Sequence, residues 1–176
     1  MSKPSIAIIG AGPSGCSMIH SFAAAKKLDD YEITVFEKQE KLGGLWNFDW
    51  YTGVDKNGEV VHGSMYRYLW SNGPKECLEF SDFTMEQHFG KKLPSYPPRP
   101  VMEEYLRARY ETEENLKRFR FETVVRMVEF VEDKDKFKVV SHDLKSRNDK
   151  VEFYDYVVVA TGHYNRPNMP HYRRVF

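Results

Sequence analysis

The sequence predicts an α/β fold with a parallel sheet of the Rossmann type. Three observations indicate this fold: a glycine-rich turn after the first apolar run, an acidic residue at the end of the second strand-like run, and a late apolar run that ends in another glycine turn. Open α/β sheets bind nucleotides in the crevice at the carboxyl ends of their strands. The three features therefore predict one nucleotide site at that edge of the sheet.

The first predicted element is a strand over 5–9, which runs directly into the segment Gly-Ala-Gly-Pro-Ser-Gly. Gly10 allows the tight turn, Gly12 lets a pyrophosphate approach the bare backbone, and Gly15 lets the next helix pack close to the sheet. We expect that helix at about 14–27, with its N-terminus facing the phosphates.

The second predicted strand covers 32–37 and ends at Glu37, whose carboxylate we expect to hold the ribose hydroxyls of an adenosine. The pair Gly43-Gly44 follows, and a late strand, 156–160, ends at Thr161-Gly162, so the backbone can approach a long ligand closely at two further turns. Each feature alone has an ordinary explanation as a surface charge or a turn. Together they are typical of flavin-binding folds of the glutathione-reductase type, and they predict FAD as the ligand.

Composition indicates one globular domain of ordinary size. The 176 residues are 41% hydrophobic and 15% aromatic, which is enough apolar material for a core. Lysine plus arginine equals aspartate plus glutamate at 26 each, so no excess charge attracts nucleic acid or an anionic membrane surface. No run approaches the roughly 18 apolar residues of a membrane span, and the start lacks the features of a signal peptide. We expect a cytoplasmic protein without nucleic-acid or membrane partners.

The cysteines and histidines argue against two further classes of site. Cys16 and Cys77 are far apart, so the chain lacks the C-x-x-C dithiol of flavin disulfide reductases. Cys16 is expected in the core, and Cys77 has no obvious activating base. The six histidines form no His-x-x-x-His pair and no partnership with cysteine, so the sequence gives little support for a metal site.

The rest of the chain predicts an aromatic-rich region, one helix and three strands. Large aromatic residues without a clear period occupy 45–72. A helix is expected over 100–114, where proline lies in the first turn and apolar residues recur at helical spacing. Strands are expected over 119–131, 137–140 and 151–160, with a charged turn between the first two.

Five segments of the sequence resemble the N-terminal part of flavin-containing monooxygenases, and most of all the bacterial trimethylamine monooxygenases. These segments are GAGPSG, FEKQEKLGGLWN, VHGSMYRYLWSNGPKECLEFSDFT, HFGKKLPSYPPR and DYVVVATGHYNRPNMP. The resemblance runs along essentially the whole chain. Glycine fingerprints recur in many flavoproteins, whereas YRYLWSNGPKE and SYPPR are long strings typical of this branch of the family.

The resemblance implies an enzyme that uses FAD, NADPH and O2. In the family NADPH reduces FAD, the reduced flavin captures O2 as a C4a-hydroperoxide, and the lone pair of a soft nucleophile takes the distal oxygen. The implied substrate is trimethylamine, which becomes trimethylamine N-oxide, and other amines, sulfides and indole remain alternatives. Because no side chain has to act as a nucleophile, the protein positions the reactants, donates hydrogen bonds and excludes water.

The resemblance also implies the active-site residue. Asn72, in the string WSNGP, matches an asparagine beside the flavin C4a and the nicotinamide, and is the candidate catalytic residue. Trp70 matches a neighbour of bound NADP. The alternative for Asn72 is a purely structural role in a turn before Gly-Pro, where asparagine is common.

The other implied cofactor contacts fall into groups along FAD. The pyrophosphate contacts are Gly10, Gly12, Ser14 and Gly15, the adenosine contacts are Glu37, Gln39 and the backbone of Val125, and the flavin side comprises Leu45, Trp46 and His62, with Thr161 and Gly162 at the late turn. For His62 and Val125 a role in packing is an equal alternative.

Length is the main departure from the family, whose members are more than twice as long. The second glycine fingerprint, which binds NADPH, and the segment that completes the FAD domain would lie downstream. We therefore expect 1–176 to be the N-terminal portion of an FAD-binding domain of the two-dinucleotide-binding type, incomplete and without an NADPH-binding domain. The remainder would be a separate chain or segment, and the relatives suggest a homodimer. The alternative is a module that binds FAD and catalyses nothing alone.

Overall fold

A computed structural model describes residues 3–61, 64–163 and 168–172. Within these ranges the chain forms a four-stranded sheet, a three-stranded sheet and five α-helices. The strands are β1 (Ser5–Ile9), β2 (Glu32–Phe36), β3 (Phe119–Arg120), β4 (Thr123–Val131), β5 (Lys136–Asp143), β6 (Asp149–Tyr154) and β7 (Tyr156–Val159). The helices are α1 (Pro13–Ala24), α2 (Lys75–Leu78), α3 (Met85–Phe89), α4 (Arg99–Tyr110) and α5 (Glu113–Leu116).

The larger sheet is parallel throughout, with strand order β3-β2-β1-β7. Its central strand, β1, is buried because its side chains are apolar on both faces. Ile9 pairs with Phe36 on one side and with Val159 on the other, so β1, β2 and β7 end at the same level. This register brings the loops that follow the three strands to one edge, and it confirms the predicted α/β fold of the Rossmann type.

The smaller sheet is antiparallel, with strand order β4-β5-β6. Two of the predicted strands differ from the observed ones because part of each belongs to this sheet. The predicted strand 119–131 is wrong as a single element: it divides into β3 and β4, because the backbone turns at Glu122, where φ is +51°. The predicted strand 151–160 likewise divides at Asp155 into β6 and β7. Each of these two runs therefore contributes one strand to the parallel sheet and one strand to the antiparallel sheet.

The predicted helix over 100–114 is also two elements. α4 ends at Tyr110, and Thr112 then begins α5 by accepting a hydrogen bond from the Asn115 backbone N–H over 3.2 Å. A threonine in this position satisfies one of the free N–H groups at a helix start. The helix is therefore interrupted at Glu111 and Thr112, where the sequence shows one continuous periodic run.

The main core lies between the parallel sheet, α1 and α4. Tyr105 and Tyr110 of α4 are buried there with Cys16 of α1. The Tyr105 hydroxyl accepts from the Phe80 N–H over 2.8 Å, and the Tyr110 hydroxyl is hydrogen-bonded to Ser17 over 2.7 Å. Burial raises the pKa of the Cys16 thiol to about 12, so this cysteine is an unreactive core residue, as expected from the sequence.

Asp155 joins the two sheets where β6 passes into β7. Its Oδ2 atom accepts from the Ser5 backbone N–H and from the Ser5 hydroxyl, each over 2.7 Å, and its Oδ1 atom lies 3.0 Å from Lys136 Nζ. The hydrogen bonds from Ser5, together with Lys136, lower the pKa of Asp155 to about 2. The carboxylate form of Asp155 is therefore the form that the folded chain stabilises.

Asp155→Asn tests this link. Because the folded pKa of Asp155 lies below the unfolded value, its contribution to stability is present at neutral pH and is lost as the pH falls from about 4 to about 2. We expect the variant to melt a few degrees below the parent at neutral pH and at the same temperature near pH 2, measured by circular dichroism. Asp133→Asn, at an exposed turn, is the control. A difference in melting temperature that does not change with pH would contradict the assignment.

Candidate nucleotide-binding site

A pocket of about 280 Å³ lies at the carboxyl edge of the parallel sheet. Its walls come from the loops after β1, β2 and β7, with additional residues from β4 and from the segment 60–61. Nine of the predicted cofactor contacts line it: Gly10, Gly12, Ser14, Glu37, Gln39, Leu45, Val125, Thr161 and Gly162. The fold thus gathers residues from both ends of the chain into one concave site.

Two fingerprint glycines allow the backbone to pack closely below this pocket. Gly10 has φ +103°, and a Cβ atom there would lie 2.4 Å from the carbonyl oxygen of Ala160. A Cβ atom on Gly15, which is buried, would lie 1.9 Å from the carbonyl oxygen of Gly10. Any side chain at either position would separate the turn from β7 or from α1.

The remaining fingerprint glycine contacts a second glycine turn. Gly44 has φ +58°, and a Cβ atom there would lie 2.7 Å from Gly12 Cα. The neighbouring Gly43 has φ +123°, and its N–H donates to the Ala11 carbonyl oxygen over 2.8 Å. The two loops therefore meet backbone to backbone, and together they form a surface without side chains at the pocket.

The start of α1 is suited to an anion. Gly12 is the N-cap residue, Pro13 occupies the first turn, and no side chain caps the helix or places an acidic group in its first turn. Free N–H groups and the positive end of the helix dipole stabilise a negative charge at such a position. Ser14, in the same turn, lines the pocket. The arrangement fits a phosphate group.

Glu37 links β2 to the fingerprint turn. The Ala11 N–H donates to its Oε2 atom over 2.7 Å, and the Gln39 N–H donates to its Oε1 atom over 2.9 Å. Burial raises the pKa of the Glu37 carboxyl, and the two backbone hydrogen bonds oppose this rise. Each carboxylate oxygen has a second lone pair, so Glu37 can hold the turn and still accept from a ligand hydroxyl.

The loop that carries Gly44 is held by side chains on its other face. Asn47 donates from Nδ2 to Gln39 Oε1 over 2.8 Å and to the Leu42 carbonyl oxygen over 3.0 Å. Arg99 of α4 donates to the Trp46 carbonyl oxygen over 3.2 Å. These contacts fix the loop against the helix beneath it.

Glu103 completes this support from the next turn of α4. Its carboxylate lies 2.7 Å from Lys41 Nζ and also pairs with Arg99. The two basic groups keep the pKa of Glu103 below its usual range even though burial opposes this. The Trp46 side chain packs against the main core and lies outside the pocket, so its predicted place at the flavin stays a prediction.

A second pocket, of about 870 Å³, adjoins the first and shares Gln39 and Leu45 with it. Its lining includes the aromatic residues Phe48, Trp50, Tyr51 and Tyr66. Trp50 is 72% exposed, because the aromatic side chains of this region lie on an open face of the chain. Large exposed apolar surfaces mark places where another molecule or segment binds.

Asn72 and Trp70 lie outside both pockets. Trp70 forms an isolated bridge with Pro98 and is 58% exposed. Asn72 is exposed, and within the part of the chain that the structure describes its side chain makes no hydrogen bond; the adjacent turn is shaped instead by Ser71, whose hydroxyl donates to the Gly73 carbonyl oxygen over 2.7 Å. The roles of Asn72 and Trp70 remain predictions.

Some residues at the first pocket were not predicted, and one predicted residue cannot be placed. His62 lies outside the described residues. The pocket is additionally lined by Phe36, Lys38, Val60, Val61, Thr123 and Val124. The turn sequence Asp-Lys-Asn-Gly at 55–58 signals a hairpin, but no local pattern shows that this hairpin reaches the sheet edge.

The described ranges lack two other kinds of feature. No helix in the described ranges is both long enough and apolar enough to cross a bilayer. The same ranges contain no group of three or more His, Cys, Asp or Glu side chains that could hold a metal ion.

Comparison with known proteins identifies the family. A family model described as flavin-binding monooxygenase-like matches residues 3–173. This chain belongs to the flavin-binding monooxygenase-like family. The match covers both sheets and the glycine pocket, and it confirms the resemblance seen in the sequence.

Individual members of the flavin-binding monooxygenase-like family are closely similar to this chain. It is 54% identical to a trimethylamine monooxygenase from Methylocella silvestris over 95% of its length, and 51% identical to one from Roseovarius sp. over 98%. The crystal structure of Tmm from Pelagibacter sp. strain HTCC7211 superposes on 97% of the chain with a TM-score of 0.89 and 44% identity. The chain spans only 38–39% of the length of these relatives.

The contact between the two glycine turns can be tested with Gly44→Ala and its control, Gly90→Ala. Both glycines have left-handed backbones, with φ +58° and +64°, but a Cβ atom meets Gly12 only at position 44. The left-handed conformation costs about 1–2 kcal/mol in either variant. We expect Gly44→Ala to lose clearly more unfolding free energy than Gly90→Ala in urea titrations. Equal losses would show that the two turns can separate without cost.

Proposed function

We propose that this chain is the FAD-binding part of an NADPH- and O2-dependent monooxygenase that converts trimethylamine to trimethylamine N-oxide. The observation that carries the proposal is the pocket in which the Gly12 and Gly44 turns meet beside the uncapped start of α1 and Glu37. Such a site offers bare backbone and helix N–H groups to a pyrophosphate and an acid to a ribose.

The residues present fit FAD. A Cβ atom on Gly44 would collide with Gly12 Cα and push the two turns apart, so the bare backbone that both turns present at the pocket depends on their contact. Glu37 and Gln39 line the end of the pocket that we assign to adenosine. Leu45 lines both pockets, so the pyrophosphate position adjoins the aromatic second pocket. A long dinucleotide with an aromatic ring system matches this sequence of surfaces.

The proposed substrate rests on the relatives. Two proteins that share more than half of their matched residues with this chain carry the name trimethylamine monooxygenase. Both matches extend over nearly all of this chain and therefore include the aromatic region as well as the glycine pocket. These similarities favour a tertiary amine over the sulfides and indole that the sequence left open.

The chain's own residues would bind and orient the cofactor, while bound FAD supplies electron transfer from NADPH and the activation of O2. Asn72 has a neutral amide that donates hydrogen bonds without releasing a proton, which suits a position beside a reactive cofactor. The exposed aromatic residues of the chain, Trp50 and Trp70 among them, would exclude water once covered by the rest of a longer protein. A cytoplasmic location and a homodimer stay predictions.

A second candidate function is that of an FAD-binding module that catalyses nothing alone. It is favoured by the coverage of the relatives, since 38–39% of their length corresponds to this chain. It is also favoured by the aromatic residues that stay exposed in the described part of the chain, Trp50 and Trp70 among them. In this case NADPH binding and the reaction belong to a longer assembly.

A visible absorption spectrum and a native mass distinguish the two functions. We expect the purified chain to carry flavin bands. Bleaching of the bands by NADPH, in an assembly heavier than one chain, would support the complete monooxygenase. Bands that NADPH does not bleach would support the module, and a protein that binds no added FAD would contradict both.

Asn72→Ala tests the active-site residue in the proposed full-length enzyme. We expect FAD binding at the parent affinity and a loss of trimethylamine N-oxide formation of at least tenfold, because the variant lacks the amide donor. Product is measured by mass spectrometry, and FAD binding by flavin fluorescence. Asn148→Ala, at an exposed turn, is the control. Product formation near the parent rate in Asn72→Ala would remove this residue from the reaction.

A further inference from the structure

The segment 53–61, here called the strap, forms a small hairpin that projects from the aromatic region. The Asp55 N–H donates to the Glu59 carbonyl oxygen over 2.8 Å, and the Val61 N–H donates to the Gly53 carbonyl oxygen over 2.9 Å. The Asp55 carboxylate accepts from the Asn57 and Glu59 N–H groups over 2.8 and 2.9 Å. The strap is therefore a defined local structure with its own hydrogen bonds.

One end of the strap is a wall of the nucleotide pocket. Val60 and Val61 line this pocket together with Val124 and Val125 of β4. Val125 is a predicted contact of the adenosine, so the strap borders the adenosine end. A ligand that occupies this end is enclosed between the sheet edge and the strap.

The strap is tied to β4 by a bidentate ion pair. Arg126 Nη1 donates to Glu59 Oε2 over 3.0 Å, and Arg126 Nη2 donates to Glu59 Oε1. The Glu59 side chain is only 13% exposed, whereas that of Arg126 is 47% exposed. A second tether comes from Lys38, which follows Glu37 and donates from Nζ to the Val60 carbonyl oxygen.

The backbone of β4 is irregular at the residue that makes this ion pair. Val125 pairs with Ser141 and Met127 pairs with Val140, so Arg126 has no partner residue in β5. An extra residue in one strand forms a β-bulge, which redirects a side chain and often lies next to a functional site. Here the bulge separates a residue that lines the pocket from the residue that holds the strap.

Hydrogen bonding and burial suggest that the strap can open. An isolated two-stranded hairpin is marginally stable in water, so the strap depends on its tethers. Val54 and Val60, which form its internal bridge, are 52% and 49% exposed, so little apolar burial holds the strap in place. Segments with few buried contacts open at low cost.

We propose that the Glu59–Arg126 ion pair is a latch that holds the strap against the adenosine end of the pocket and slows the release of the bound dinucleotide. This inference rests on the proposed FAD function. The latch gives Arg126 and Glu59 a role in cofactor retention, although neither residue has to touch the cofactor.

The test uses Arg126→Ala, the exchanged pair Glu59→Arg/Arg126→Glu, and Arg107→Ala as a matched control. Arg107 makes a similar bidentate pair with Glu111, over 2.9 and 3.1 Å, on α4 away from the pocket. Two quantities are measured: the dissociation rate of FAD by flavin fluorescence, and hydrogen exchange of the Asp55 and Val61 amides in the chain without FAD.

Partly exposed ion pairs contribute modestly, so we expect Arg126→Ala to raise both rates about two- to fivefold. The exchanged pair should return both rates toward the parent, and Arg107→Ala should leave them unchanged. Arg126→Lys, which keeps the charge but loses the bidentate geometry, should fall between the parent and Arg126→Ala. If Arg126→Ala is poorly folded, Arg126→Lys and the exchanged pair still decide the outcome.

Three results would overturn the latch: parent rates in Arg126→Ala, equal increases in Arg107→Ala, or an exchanged pair that behaves like Arg126→Ala. Failure of the proposed function has a different signature, because the parent chain would then bind no FAD at all. In that case the role of the ion pair in cofactor retention is ruled out together with the proposed function. The hydrogen-exchange rates of the strap amides still show whether the ion pair closes the strap.

Discussion

The backbone contact between Gly12 and Gly44 is the constraint on which the rest of the site depends. The loop after β1 and the loop beyond β2 can meet only because neither residue has a side chain at the contact. Their meeting leaves helix N–H groups and bare backbone facing the pocket, and these groups suit a pyrophosphate. A methyl group at the contact would move one loop away and change the shape of the whole site.

Polar side chains hold this contact in place from outside the pocket. Glu37 fixes the first turn through the Ala11 N–H, and Asn47 and Arg99 fix the loop that carries Gly44. These groups are buried, and each is hydrogen-bonded to a backbone atom of the loops, which favours this arrangement over its alternatives. These contacts are made within the chain itself, so a ligand does not have to order these two loops on binding.

The nucleotide-binding pocket and the place proposed for the reaction lie in different parts of the chain. The glycine pocket is built from the sheet edge, whereas Asn72 and Trp70 are exposed and lie outside it. Exposed residues can support this reaction only when another segment covers them and excludes water. The strap contributes residues to the glycine pocket and to the aromatic second pocket.

Features that depend on short-range backbone geometry could be predicted from the sequence. The spacing of Gly10, Gly12 and Gly15 and the acid at position 37 predicted the parallel sheet and most of the pocket, because each feature requires one local conformation. The points at which the chain passes from one sheet to the other, at Glu122 and Asp155, could be seen only in the folded chain, since an apolar run has the same pattern in either sheet. The same holds for the meeting of Arg126 with Glu59: the two are far apart in the chain, and a β-bulge, which no periodicity reveals, brings them together.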